Sequence, residues 1–411
     1  MDKPVIIVIG IGGDELPAAH IDEHSEKCSA IVASESVIER LKKYIRDGRG
    51  EKQWIPIAPV SRALDSISNI ICSRSVLIFT SGDPLFFGLG KMLTNRFPDT
   101  DIVFLPALSS LQICCARFAI PWNDATFLSL HGRPFSDLNK FLHCSKLFIL
   151  TDQTNSPQKI AGHLISLLPT EEQNKYRMYI GVKLGTKNEK LCSGSLQTIS
   201  RKTFAQPNCL ILLRTGNTHE TPYGFGLHED EIRHSRGLIT KNEVRAAVIH
   251  ALRLPANGVF WDIGAGSGSV SIEAALSKPG LSVYAVEQKQ QEIDNITANR
   301  NHYKCWNISI HHGRAPDILG MLPAPDCIFI GGSGGALSEI ITYISDKNLC
   351  AERIVITAVI KETIETAPEL FYRSGYRVSV SVVSTSRYTH PPSQQVQFNP
   401  IHIIQAVRCH E

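Results

Sequence analysis

The sequence contains no Cys-x-x-Cys pair, no block of basic residues and no apolar run near the roughly 18 residues that a membrane-crossing helix needs. Each absence removes a class. Eleven cysteines, scattered as singles plus the adjacent Cys114-Cys115, argue against a disulfide framework and a structural zinc site. The histidines are likewise read as scattered, with no metal-ligand or Ser-His-Asp spacing, so no metal is expected. A formal charge of +3 without a basic block leaves no footprint for a nucleic-acid partner, although a modest anionic ligand stays possible. Met1-Asp2-Lys3-Pro4 runs straight into Val5-Ile6-Ile7-Val8-Ile9 with no cleavable-signal layout. A cytoplasmic chain without a membrane contact is therefore expected. No repeat of about 20 to 50 residues and no low-complexity tract is present, which excludes solenoids.

What remains is an ordinary globular composition, 43% hydrophobic and 20% charged over 411 residues, a length that favours two domains. The turn-rich stretch from Thr215 to Arg236, with Gly216, Pro222, Gly224 and Gly226, marks the break. In the first half, Val5 to Ile9, Val76 to Phe79, Ile102 to Leu105 and Lys146 to Leu150 read as strands alternating with helix-length segments, the pattern of a parallel α/β sheet. The second half repeats it with Val259 to Ile263, Ser282 to Glu287, Ile308 to His311, Cys327 to Ile330 and Arg353 to Val359.

The sharpest local signal is Phe260-Trp261-Asp262-Ile263-Gly264-Ala265-Gly266-Ser267-Gly268-Ser269, an apolar strand that ends in an acid and enters a glycine turn before a helix. Gly264, Gly266 and Gly268 permit a tight turn and a close approach by a ligand that a Cβ would block. Glu287 ends the next strand, where a carboxylate can accept ribose hydroxyls. The spacing is Gly-x-Gly-x-Gly rather than the Gly-x-Gly-x-x-Gly of pyrophosphate binders, and Asp262 beside the loop repels a pyrophosphate. It suits a cationic amino-acid cofactor such as S-adenosylmethionine. A glycine turn without a ligand is the structural alternative. Upstream, Thr240 caps a helix in which Glu243 completes a capping box, a role sufficient by itself to explain Thr240. Downstream, His312-Gly313-Arg314-Ala315-Pro316-Asp317 follows a strand where adenine would pass. No prolyl-prolyl-aromatic motif follows Cys327 to Ile330, which favours a carbon or small-molecule acceptor.

In the first half four loops sit at strand ends: Gly10-Ile11-Gly12-Gly13-Asp14, Thr80 to Gly88, Leu105 to Gln112 and Ser129 to Pro134. Ligands of parallel sheets bind at carboxyl strand ends, so these loops should face one crevice. An N-cap for Ser109 and a buried hydrogen-bonded imidazole for His131 are the structural alternatives.

The motifs Gly82-Asp83-Pro84-Leu85-Phe86-Phe87-Gly88, Ser109-Ser110-Leu111-Gln112 and Ser129-Leu130-His131-Gly132-Arg133-Pro134 resemble the carbon-5 methyltransferase domain of cobalamin biosynthesis, a tetrapyrrole methylase of class III fold. Leu238 to Arg245, Asp262 to Gly268 and His312 to Pro316 resemble the carbon-15 methyltransferase and decarboxylase domain of the same pathway, a class I Rossmann-like methyltransferase. In this order the halves resemble the fused, decarboxylating C5,15-methyltransferases of precorrins. The resemblance implies an α/β chain with a class III domain over 1–215, a linker over 216–236 and a class I domain over 237–411. It implies one S-adenosylmethionine per domain, a small tetrapyrrole substrate and a homo-oligomer, with no nucleic-acid or membrane partner. Within that resemblance the N-terminal cofactor residues are Gly82, Asp83, Phe86, Ser109, Ser110 and Leu111. The C-terminal ones are Thr240, Gly264, Gly266, Gly268, Glu287 and Ala315, with Asp262, Ala265 and Ser267 in the same loop. His131 and Arg133 are substrate candidates, since a guanidinium fork suits peripheral carboxylates; no catalytic residue is assigned. Gly10 to Asp14 departs from the family's Gly-Pro-Gly-Asp form. Ser384 to Pro400, with His390-Pro391-Pro392, is given no role.

The implied chemistry is methyl transfer to two ring carbons, helped chiefly by in-line positioning. Methylation at carbon 15 leaves an electron sink through which the ring C acetate loses carbon dioxide. The competing readings are a two-domain NAD-linked oxidoreductase, which the glycine spacing and Asp262 oppose, and a non-catalytic tetrapyrrole-binding protein.

Overall fold

Val5–Ile11 (β1) is buried along nearly its whole length, as a parallel strand covered on both faces must be. With Cys28–Ala33 (β2), Gln53–Pro56 (β3), Ser75–Ser81 (β4) and Asp101–Leu105 (β5) it forms an all-parallel sheet in the order β3-β2-β4-β1-β5. The computed structural model describes residues 3–45, 52–216, 225–235, 239–347, 349, 351–391 and 394–409.

The rest of the first half departs from the expected parallel sheet. Thr126–Ser129 (β6), Lys146–Leu150 (β7), Tyr176–Val182 (β8), Lys190–Ser195 (β9) and Asn208–Arg214 (β10) make a separate sheet in the order β6-β7-β10-β8-β9. Its β6–β7 pair is parallel, and β10 runs antiparallel to β7 and β8, as β9 does to β8. The physical reason is connection length: 183–189 is too short for a parallel crossover, which takes about a dozen residues, and instead turns back as a hairpin.

In the second half Gly258–Ile263 (β11), Leu281–Glu287 (β12), Ile308–His312 (β13), Cys327–Ile330 (β14) and Arg353–Ala358 (β15) are parallel. Tyr376–Val383 (β16) precedes a small hairpin, Ser386–Thr389 (β17) with Gln394–Gln397 (β18). Ile401–Arg408 (β19) then inserts antiparallel between β15 and β16, giving the order β13-β12-β11-β14-β15-β19-β16. Consecutive strands proceed outward from β11 in one direction and from β14 in the other. The crevice outside the carboxyl ends of that pair is where such sheets bind ligands. Apolar residues cover both faces of the sheet, Trp261, Ile328 and Ile354 on one and Phe260, Val283 and Val355 on the other.

Contacts divide the chain into two units, one of Met1–Arg133, Ser145–Ser166 and Thr170–Thr215, the other of Pro134–Cys144, Leu167–Pro169 and Gly216–Glu411. Of the stretch read as a linker, 217–224 and 236 lie outside the described residues, while Leu227 and Ile232 are buried in the core of the second unit. Among the described residues no helix is long and apolar enough to cross a membrane.

Candidate functional site

In the second unit the loop after β11 turns through three left-handed glycines, Gly264 (φ 68°), Gly266 (φ 56°) and Gly268 (φ 76°). They serve different ends. A Cβ on Gly264 would stand 2.1 Å from the Gly332 carbonyl oxygen, and one on Gly268 would press on Ile296 at 3.1 Å. At Gly266 a Cβ would meet no protein atom within 4 Å. Two of the three glycines thus answer to the protein's own packing, and Gly266 alone has open space where a Cβ would stand. That cleft, of about 260 Å³, is lined by Gly264, Gly266, Glu287, Lys289, Arg314 and Ala315 among others.

Glu287 is buried, and its carboxylate is already engaged. Oε2 accepts the Gly266 N–H at 2.9 Å, while Oε1 accepts the Gln288 and Lys289 N–H groups, each at 2.9 Å. A carboxylate has about four acceptor positions, so roughly one is left for a ligand hydroxyl rather than two.

Asp262 behaves differently from the sequence expectation of a charge beside the ligand. It does not line the cleft but turns into the following helix, Ser269–Ser277, where Oδ2 accepts the Ser271 N–H at 3.1 Å and the Ser271 hydroxyl at 2.5 Å. Its Oδ1 is buried without a hydrogen-bond partner among the described residues. Desolvation outweighs the two bonds and pushes the carboxyl up to about 7. Glu287 supplies the negative wall instead.

Ala265, Ser267 and Gly268 shape the turn without lining the cleft; the Ser267 carbonyl accepts the Asn299 amide at 2.9 Å. Thr240 does not line it either, and its expected capping box is absent. The helix Asn242–Leu252 has Lys241 as N-cap with no side-chain cap bond, which places Glu243 one residue too early in the helix. The Glu243 carboxylate instead grips Arg387 at 2.7 and 2.9 Å. The Thr240 carbonyl accepts Arg245 Nη1 at 2.9 Å, and Arg245 is itself buried against Glu273 at 3.0 Å. Leu238, which opens the same motif, lies outside the described residues.

In the first unit the four expected loops do meet. A cleft of about 920 Å³ is lined by Gly12, Gly82, Asp83, Phe86, Ser110 and His131, with contributions from each loop. The loops pack backbone to backbone at its floor: the Gly82 N–H reaches the Ile11 carbonyl at 2.9 Å, and the Ala107 N–H the Gly82 carbonyl at 3.3 Å. A Cβ on Gly10 would stand 2.1 Å from the Gly82 oxygen, which accounts for that glycine without a ligand. Asp83 Oδ1 accepts the Leu85 N–H at 2.8 Å, fixing the turn, and Phe86 packs edge-on against Phe127 with ring centres 5.6 Å apart. Ser109 lines the cleft and also N-caps the helix Ser110–Phe118 in a capping box with Gln112. Leu111 is buried in the core and Arg133 stands outside the lining, its carbonyl held by the Asn155 amide at 2.9 Å.

Sequence reasoning missed Asp152, Thr151, Gln206 and Asn208, which line the same cleft from the ends of β7 and β10. Asp152 accepts the Asn155 N–H at 2.6 Å and the Gly132 N–H at 2.8 Å, and these bonds hold its carboxyl below the usual range. It thereby pins the turn that carries His131. In the second unit Lys289, Arg314 and Gly332 to Gly334 were likewise missed as lining groups; the run Gly331-Gly332-Ser333-Gly334-Gly335 was the available signal.

Residues 7–200 match the tetrapyrrole (corrin/porphyrin) methylases, and residues 231–389 match the precorrin methyltransferase domain. A Sinorhizobium protein named precorrin-6Y C(5,15)-methyltransferase (decarboxylating) is 29% identical over 342 residues, which span 81% of this chain and 79% of that one. A Sulfolobus acidocaldarius protein named probable cobalt-precorrin-6B C(15)-methyltransferase (decarboxylating) is 33% identical over 181 residues, 43% of this chain and 93% of its own. A crystal structure of a precorrin-6y C5,15-methyltransferase from Geobacter metallireducens is 38% identical, covers 45% of this chain and 98% of that one, and superposes with a TM-score of 0.44.

Proposed function

The chain belongs to the precorrin methyltransferases, and from that premise we propose that it methylates a precorrin-6 type tetrapyrrole at carbons 5 and 15 and removes the carboxyl of the ring C acetate, in the cytoplasm and as a homo-oligomer. The observation that carries the reading is that each unit builds its own cleft at strand ends, from residues that the two independent motif sets name. The first unit then serves carbon 5, and the second serves carbon 15 with the decarboxylation.

S-adenosylmethionine fits the second cleft on two counts: Gly266 leaves a space that a Cβ would fill, and Glu287 offers a free acceptor position on a negative wall. When bound, it supplies an electrophilic methyl group. Glu287 would hold a ribose hydroxyl, and Gly264, Gly266 and Ala315 would admit the nucleoside by backbone alone. In the first unit Gly82, Asp83, Phe86, Ser109 and Ser110 line the space for the second cofactor, with Leu111 supporting it from the core. His131 faces that cleft and would meet the substrate, while Arg133, outside the lining but two residues along the same loop, would take a peripheral carboxylate. The residues would act chiefly by holding the reactants in line, the main lever for accelerating a methyl transfer.

The test is to supply the full chain with methyl-labelled S-adenosylmethionine and a precorrin-6 type substrate, and to count methyl groups by mass and carbon dioxide by trapping. Asp83→Ala should yield a decarboxylated product lacking only the carbon-5 methyl. Gly266→Val, with circular dichroism showing the fold intact, should abolish carbon-15 methylation and carbon dioxide release together. Carbon dioxide release that survives Gly266→Val would refute the division of labour.

A further inference from the structure

The histidines look scattered in the sequence, yet His20 and His24 stand one turn apart on the helix Ala18–His24, with Glu23 on the same side. One ligand atom from each of the three groups lies within 4.8 Å of the others. The two imidazoles are nearly parallel, 13° between planes with centres 6.4 Å apart, and a Glu23 carboxylate oxygen is 3.6 Å from His24 Nε2. We propose that His20, Glu23 and His24 form a surface site for one divalent transition-metal ion of the zinc class.

The ligand chemistry selects the ion. Two imidazoles and one carboxylate suit zinc, cobalt, nickel or copper, whereas calcium and magnesium call for oxygen sets. Three protein ligands leave a position for water. The simpler reading, an ion pair between Glu23 and His24, explains less. Glu23 is 62% exposed and the separation is long, so such a pair contributes little, and it gives no reason for His20 to stack alongside.

The helix itself supplies the second argument. It has seven residues, no side-chain bond at its Pro17 N-cap, no acidic residue in its first turn, and Ile21 as its buried residue. A helix this short is marginal without an external fastening, and a metal bridging positions i and i+4 is one. The same His-x-x-Glu-His spacing serves hydrolytic zinc sites, but those sit in a substrate cleft. This helix contributes no residue to the cleft of the first unit, so the site binds rather than hydrolyses.

The experiment titrates the full chain with zinc against a chromophoric chelator, then with cobalt, whose absorption separates imidazole and carboxylate ligands from thiolates. The parent chain should hold one zinc per chain at this site, with a cobalt spectrum free of thiolate bands. His20→Ala and His24→Ala should each weaken zinc by at least the roughly tenfold that loss of an outer-shell partner alone costs, and Glu23→Gln by less than either. Zinc should also raise the melting temperature of the parent but not of the two histidine variants. Unchanged affinity in both histidine variants, thiolate bands in the cobalt spectrum of the site, or no saturable zinc binding by the parent overturns the proposal. Methyl transfer is not read in this experiment, so its failure leaves the proposed function standing.

Discussion

Replacing Asp262 by Asn should make the second unit more stable at pH 8 and leave it nearly unchanged at pH 4. The carboxyl titrates at about 3.9 in an unfolded chain and is pushed up to about 7 in the fold, where it is 1% exposed. Because the folded value is the higher, folding favours the protonated form. The contribution is fully present below about pH 4, is lost as the pH rises towards 7, and stays lost above it. That interval is worth at most about 4 kcal/mol at about 1.36 kcal/mol per pH unit. Asn keeps the shape and can accept both Ser271 bonds, but carries no charge to bury, so the gap between variant and parent should open between pH 4 and 7. Urea denaturation across pH 4 to 8.5 measures it, followed by fluorescence of buried Trp261 beside the substitution. If the two unfolding curves run parallel over the whole range, the burial argument is wrong.

Two roles of the glycine loop should separate cleanly: Gly264→Ala, driven against the Gly332 carbonyl, should cost about 3 kcal/mol or more in denaturation, whereas Gly266→Ala should cost only the roughly 1–2 kcal/mol of a left-handed alanine and show its damage in cofactor affinity. Equal stability losses would contradict this. Glu287→Ala orphans three backbone N–H groups and removes the ribose acceptor, so calorimetry should show S-adenosylmethionine binding fall by about 10- to 150-fold in the second unit; unaltered binding there would discard the assignment. Arg245→Ala leaves Glu273 buried without its cation and should cost about 3–5 kcal/mol, with Arg245→Lys unable to restore the forked contacts to Thr240 and Leu227; a loss under about 1 kcal/mol would show the pair to be dispensable.

β1, β4, β5 and β7 of the first unit and the five parallel strands of the second were legible because each is a short apolar run closed by a turn, and β7, β12 and β14 begin or end within a residue of where the pattern places them; β2, β3 and the span of β6 were not read. The second sheet of the first unit was not, since antiparallel pairing of β8, β9 and β10 is decided by which segments meet, information that no local window holds. Its loss hid Asp152 and Asn208, and with them half of the cleft wall. Ser384 to Pro400 gave no signal for a similar reason. Arg387 on β17 bonds Glu229 and Glu243, and Phe398 lies beneath the cations of Arg387 and Lys241 at 5.0 and 5.5 Å, so that Glu229, Lys241 and Glu243 are all partners far away in sequence. Thr240 failed for the opposite reason. Its spacing matched a local motif, but the distant Arg387 drew Glu243 away from the cap.

The contact between Gly264 and Gly332 fixes what an engineer can change. The loop after β14 is the natural place to redirect such an enzyme to another acceptor, because it borders the cleft and belongs to no strand. Yet its backbone rests on the turn after β11, with no side chain between them to absorb a displacement. A grafted loop that keeps the chain path at 332 could be exchanged freely. One that moves it by even an ångström would reach Gly264 first, and a gain in acceptor range would arrive together with a defect in cofactor binding.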